Sequence, residues 1–385
     1  MTMNGKRKKI WMISQLTVHA CCTLMLSMLA GGCSKETEEP AATVFGGPAN
    51  VTLVIDGQSA TKALTRAGYQ VDEDVVIETV RIYAFKHAPG ESQNGECVGY
   101  GYFPDLAVAP GESEYCTMRL SASGDIDFYV LANDGFASGL ASGQVPVILD
   151  GSTARQELES LRFTGLTDGA TAIPMSNLDL KGVSGTASDR AANRTFTINE
   201  SSKGGGLPQI IPIDLTRAMA RLSFYFAKSD DSEIIITDIS LAEGHGPISA
   251  GFFSDDGNPV YTSEMAGHVL SDEPVTITHK SIGGNTDNED DLQKLDTEWY
   301  LLPNTAGSAT PDRLPAGTSD EHDIYIVRFG YTINGRSVTK EVCLPSIAPN
   351  DWIKVKAVFA VDVDDCVFKI TAIPWENKSM DITFD

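Results

Sequence analysis

Residues 218–226 read Ala-Met-Ala-Arg-Leu-Ser-Phe-Tyr-Phe. Ala218, Ala220, Leu222, Phe224 and Phe226 alternate with Met219, Arg221, Ser223 and Tyr225, and side chains along a strand point to opposite faces with a period of two. The pattern predicts a half-buried strand: one face in a core, the other, with Arg217, Arg221 and Tyr225, in solvent. Short runs of the same kind, bounded by Gly, Pro, Asn and Asp, recur along the chain. They include Val51–Ile55, Val75–Phe85, Cys116–Leu120, Ile126–Ala132 and Ile234–Leu241, then Ile324–Ile333, Val338–Leu344, Trp352–Val363 and Val367–Ile373. Ile333-Asn334-Gly335-Arg336 predicts a type I′ hairpin, because Asn-Gly tolerates the positive φ angles that turn needs. Only Ser152–Leu161 reads as helix, with Ser152 placed as its cap. Many short strands and almost no helix indicate an all-β protein built of β-sandwiches.

The chain has 385 residues, 42% of them hydrophobic, and a formal charge of −23. That length and apolar content suit two sandwiches in tandem and exclude a largely disordered chain. The boundary is expected in Ser201-Ser202-Lys203-Gly204-Gly205-Gly206-Leu207-Pro208, which has no periodicity. The domains would then be 49–205 and 206–385. A strongly acidic chain lacks the clustered Lys and Arg that phosphate contacts need, so nucleic acid is not an expected partner. It also repels anionic lipid headgroups, so membrane attachment would have to be local.

Residues 1–32 read as a targeting segment. Lys6, Arg7, Lys8 and Lys9 precede an apolar stretch from Ile10 to Ala30, and Leu29-Ala30-Gly31-Gly32-Cys33 closes it. This resembles a bacterial lipoprotein lipobox, in which Cys33 carries the lipid and becomes the first residue, tethered through a polar segment over 33–48. Ser34-Lys35-Glu36-Thr37-Glu38-Glu39 resembles the acidic tags of surface-exported lipoproteins. Removal of 1–32 leaves 353 residues and takes the charge to −27. Cys97, Cys116, Cys343 and Cys366 then remain in the exported part. Four cysteines allow three pairings; Cys97–Cys116 and Cys343–Cys366 are the expected bridges, with buried free thiols as the alternative.

No catalytic site is legible, no cofactor is expected, and the chain is not read as an enzyme. His87, His245, His268, His279 and His322 are scattered, and Glu321-His322-Asp323 reads as a solvated loop. Lys203-Gly204-Gly205-Gly206 has the wrong order for a phosphate loop. Asp287, Glu289, Asp290 and Asp291 lack the spacing of a calcium loop and read as exposed. No metal site is expected. Trp299, Trp352 and Trp375 lie in strand-like runs, where core packing is the default. Were Trp299 and Trp352 exposed, they would suit a surface lipoprotein that binds glycans and does not polymerise.

Two features ask for a function. Thr65-Arg66-Ala67-Gly68 follows a first strand whose Val51, Leu53 and Ile55 alternate with Thr52 and Val54. An arginine among small residues in a linker is an easy protease site. At the other end Met380, Ile382 and Phe384 alternate with Asp381, Thr383 and Asp385, a strand pattern at a terminus. A detachable first strand and a second strand of matching period are what strand donation requires.

The ordered set of motifs resembles the fimbrillin family of type V pilus subunits. The stretches carrying the likeness are the lipobox at Cys33, Thr65-Arg66-Ala67, Glu78-Thr79-Val80-Arg81-Ile82-Tyr83-Ala84-Phe85 and Ile173-Pro174-Met175-Ser176-Asn177. Asp214-Leu215-Thr216-Arg217-Ala218-Met219-Ala220-Arg221-Leu222 and Ile370-Thr371-Ala372-Ile373-Pro374-Trp375 complete it. The resemblance implies two transthyretin-like β-sandwich domains and export to the cell outer membrane as a lipoprotein precursor. It also implies cleavage at Arg66–Ala67 by an arginine-specific protease, and assembly with other fimbrial subunits in a fimbrium. Val51, Leu53 and Ile55 would mark the displaced first strand, and Met380, Ile382 and Phe384 the donor strand. Cleavage would leave 319 residues without the lipid. Four cysteines exceed the expectation for a plain shaft subunit, leaving a tip or accessory place in the fibre open, and an anchor subunit would keep its lipid.

Overall fold

The computed structural model describes residues 46–56, 76–87, 95–109, 112–134, 141–142, 145–146, 149–164, 167–168, 172–177, 194–200, 207–254, 257–261, 266–281, 285–310, 323–362 and 366–374. All of these lie within the compact unit Phe45–Asp385. The signal segment, Cys33, Arg66, Ala67, Met380, Ile382, Phe384 and Trp375 fall outside the described residues.

The chain is almost all β. Its longer strands are β1 (Ala49–Asp56), β2 (Val80–Lys86), β3 (Cys97–Phe103), β4 (Ser113–Leu120), β5 (Gly124–Ala132), β6 (Thr195–Ile198) and β7 (Gln209–Ile213). They continue with β8 (Ala220–Lys228), β9 (Ile234–Leu241), β10 (Trp299–Leu301), β11 (Ile326–Ile333), β12 (Arg336–Cys343), β13 (Asp351–Phe359) and β14 (Val367–Pro374). Among the described residues one α-helix, α1 (Arg155–Glu159), accompanies them.

In the first half, a three-stranded sheet of order β7-β1-β4 packs on a six-stranded sheet centred on β5 and β2. Val80, Ile82 and Ala84 of β2, with their β5 partners Ala132, Val130 and Phe128, are buried in one cluster with Val51, Leu53, Ile55, Met118 and Leu120. Gly99 of β3 pairs with Ala84 and lies so close to Leu120 and Met118 that a Cβ there would collide with both. The opposite face of β2 and β5 is covered too. Tyr83 reaches Thr153, Tyr129 bonds Glu159 of α1, and Phe253 stacks edge-on against Tyr129.

In the second half, a sheet containing β14-β13-β8-β10 faces one containing β9-β11-β12. Phe224 and Phe226 meet Phe329 edge-on at 5.7 and 5.9 Å, and Phe359 meets Tyr331 at 4.8 Å, so aromatic rings bridge the layers. The β11–β12 hairpin turns at Asn334 (φ 48°) and Gly335 (φ 80°), the two positive angles of the expected turn.

Several expectations are corrected. The segment leading into the 218–226 run forms two further strands, β7 and the short strand Thr216–Arg217, before β8 begins at Ala220. β7 lies beside β1 in the first sheet, while Ala250, Phe252, Tyr300, Leu302 and Trp352 from later in the chain join the first core. Gly46, assigned to the tether, bonds the carbonyl of Ser123. Ser152 does not cap the helix. It bonds Asp150, and the N-cap is Ala154, whose N–H is taken by Glu157.

The second face of β8 is not solvated. Arg221, Ser223 and Tyr225 are buried beneath the acidic segment expected to be a free loop. Glu289 contacts Lys354 and Lys356 of β13, and Glu298 pairs with Arg221 and Lys294.

The two expected disulfides are not formed: all four cysteines are free thiols. Ser121 N–H donates to Val98 C=O, which sets Cys97 near Ser121. Cys116 is five residues further along β4, about 16 Å at strand rise and beyond disulfide reach. Cys343 pairs with Ile326 and packs with Ala242 and Ile324, whereas Cys366 lies 3.8 Å from the Tyr331 hydroxyl in the second core. Successive strand residues face opposite ways, so these thiols lie on opposite faces of the β11–β12 sheet.

Candidate functional site: the groove around the first strand

β1 occupies the centre of its three-stranded sheet. It pairs antiparallel with β4, Ala49–Asp56 against Leu120–Ser113, and parallel with β7, Val51–Ile55 against Gln209–Ile213. β4 and β7 are joined only through β1 in this sheet. Without β1, a row of N–H and C=O groups on each neighbour would lose its partners.

The alternation expected of β1 is present. Val51, Leu53 and Ile55 are 0% exposed and Ala49 1%, all in the first core. Opposite them lie Met118, Cys116 and Leu120 of β4, with Ile211 and Ile213 of β7 completing the floor. The outward row differs. Thr52 is 6% exposed and its hydroxyl lies 2.8 Å from that of Thr117, while Ile210, Tyr115 and Arg119 are exposed beside it.

Sequence reasoning identified the three apolar residues of β1 but missed the groove walls. The alternation of Cys116, Met118 and Leu120 was visible, yet nothing local signals a parallel neighbour some 150 residues away. The linker 57–75, with Arg66 and Ala67, follows β1 directly; the segment from 375, with Met380, Ile382 and Phe384, follows β14.

The remaining candidates have structural partners. Trp299 donates its indole N–H to Leu270 C=O and Trp352 to Ser223 Oγ, each at 2.8 Å, and both rings are buried. They are packing residues, as the strand-like runs indicated, and offer no open platform for a sugar. His87 Nδ1 is 2.9 Å from Asp127, whose carboxylate also takes Arg155 and Thr195, tying α1 and β6 to β5. Among the described residues, no three or more His, Cys, Asp or Glu are arranged to hold a metal ion. Burial pushes the Cys116 thiol up to about 12 and the Asp351 carboxyl up to about 6.

No protein-family model and no curated protein matches this chain. Its structural neighbours are fimbrial and cell-adhesion proteins. The tip fimbrial protein Mfa3 from Porphyromonas gingivalis is 12% identical, with TM-score 0.44 over 85% of this chain and 100% of that one. A protein from Parabacteroides distasonis described as a cell adhesion protein is 15% identical, with TM-score 0.47 over 86% and 98%. The fimbrial anchor protein Mfa2 from P. gingivalis is 12% identical, with TM-score 0.33 over 85% and 98%.

Proposed function

We propose that this chain is a structural subunit of a cell-surface fimbrium that polymerises by exchanging its first strand. In this reading it is exported as a lipoprotein through Cys33 and cut between Arg66 and Ala67 by an arginine-specific protease. A strand from another subunit then fills the place of β1, and the resulting fibre supports adhesion.

One observation carries the reading: β1 is the central strand of its sheet, and the linker that follows it contains Arg66. Cleavage would therefore free a strand whose loss orphans two neighbours at once. Burying a large aliphatic side chain is worth about 1.5–3 kcal/mol, so the Val51, Leu53 and Ile55 anchors together are worth about 5–9 kcal/mol before the two ladders are counted. A replacement offering the same alternation recovers that free energy, while β1 in place keeps the precursor closed to premature assembly.

The test is Arg66→Ala in the full-length chain. Export and folding are expected to be unchanged and polymers absent; normal polymers from this variant would refute the reading.

A further inference from the structure

We infer that Lys340 guards the open edge of β12: it keeps the β12 strand of a second copy of this chain from pairing there and merging two sheets side by side. The inference stands on the edge itself and holds whether or not β1 is exchanged.

β12 ends its sheet. The strand order runs from β9 through β11 to β12, and β12 pairs with β11. Every second residue of such a strand turns its N–H and C=O outward, a template on which another strand can build. Arg336, Ser337, Thr339 and Glu341 are exposed along it.

The backbone of β12 offers no obstacle to such pairing. The strand is eight residues long and contains no proline. Its register against β11 is unbroken from Arg336 to Cys343, whereas β9 shifts register against β11 between Ile236 and Asp238. Val338, Thr339 and Val342 are β-branched and suit an extended chain. The obstacle lies in the side chains of the inward row.

Arg336, Val338, Lys340 and Val342 share one face of β12. Their partners on β11 are Ile333, Tyr331, Phe329 and Val327, all buried in the second core. Lys340 thus interrupts a row directed at that core. Its ammonium lies 5.8 Å from the ring centroid of Phe368 on β14, the edge strand of the facing sheet. The residue is half-buried, its stem along the core and its charged end at the seam between the two edge strands.

A strand added to β12 would close that seam over the ammonium, and enclosing an ion between sheets is costly even beside a counter-charge. Two copies pairing antiparallel through β12 would enclose two. With inward faces matched, Lys340 of one copy stands opposite Arg336, Val338 or Lys340 of the other, and like charges directly opposed repel further. The outward row imposes no such cost: Ser337 and Thr339 are neutral, and Glu341 pairs with Arg328. Position 340 therefore decides whether this edge is open to another sheet.

The test follows association of uncut full-length chains by sedimentation velocity, with hydrogen exchange read on peptides covering 336–343. Lys340→Val is expected to associate at about a hundredfold lower concentration than the unsubstituted chain, with slowed exchange at Ser337, Thr339 and Glu341. Lys340→Met, an uncharged residue of similar length, gives the same reading should valine pack poorly. Lys340→Arg, which keeps the charge, and Thr339→Val, which adds valine to the outward face, are expected to stay monomeric at that concentration. Folded Lys340→Val and Lys340→Met chains that both remain monomeric would overturn the inference. Association of Thr339→Val or Lys340→Arg to the same extent, or association of Lys340→Val without slowed exchange along β12, would overturn it too.

Discussion

Leu53 of the first strand lies directly opposite Cys116 of β4, and both are 0% exposed. The side chain that would leave on strand exchange is therefore the cross-strand lid of a native thiol. Burial raises that thiol to about 12, so in the closed precursor it is both covered and almost wholly protonated.

This pair makes departure of β1 directly observable. Cys116 is expected to resist a thiol reagent in the uncut precursor, react in the chain cut after Arg66, and become protected again in the polymer. Labelling followed by peptide mass mapping checks this. Equal protection in precursor and cut monomer would mean that β1 stays in place after cleavage.

Leu53→Ala removes the central anchor of β1 and leaves a cavity facing Cys116. Substitutions of this kind cost about 2–5 kcal/mol. The precursor's urea midpoint is expected to fall accordingly, whereas Val54→Ala, on the half-buried outward row, is expected to cost far less.

Glu289 joins Lys354 and Lys356, whose side chains are only 7% and 9% exposed. Burial alone would raise the Glu289 carboxyl, but hydrogen bonds from the two lysines outweigh it and hold the group below its ordinary range. Glu289→Ala strips a counter-charge from a nearly dry face that also carries Trp352 and Tyr225. An expected loss of about 1–3 kcal/mol falls below the cost of breaking a fully buried pair, because the Glu289 side chain itself is 38% exposed. A denaturation curve at neutral pH measures it. Because the folded-state pKa is depressed, the same stabilisation is present at neutral pH and fades as pH falls through that lowered value.

Asp351, at the start of β13, has the opposite sign. Desolvation raises its carboxyl to about 6, although Ala348 N–H donates to it. The folded chain therefore holds this proton more tightly than the unfolded one, and its contribution to stability declines as pH rises from about 4 through about 6. Asp351→Asn keeps a carbonyl acceptor for Ala348 N–H and carries no charge. It is expected to raise the melting temperature at pH 7.5 and to leave it nearly unchanged at pH 4, as thermal melts at the two values would show.

What was legible in the sequence was local. The alternation of Leu222, Phe224 and Phe226 and the Asn334-Gly335 turn each encode their structure within a few residues, and both are found where expected. The covering of Arg221 and Tyr225 by a segment about 70 residues away was not legible, because strand periodicity cannot distinguish water from an acidic partner on the polar face. The central position of β1 was hidden for a similar reason: its alternation shows which residues turn inward but not how many neighbours the strand has. Cysteine spacing misled, since Cys97 and Cys116 lie in strands facing one another but at different levels. Arg66 and the chain end were singled out by composition and period alone.

The most direct test of the account is the identity of the first residue in protein released from native cell surfaces, read by intact mass and amino-terminal sequencing. The account predicts a chain beginning at Ala67 and carrying no lipid. A diacylated chain beginning at Cys33 would contradict it, showing that Arg66 is not cut and that β1 remains the permanent centre of its sheet.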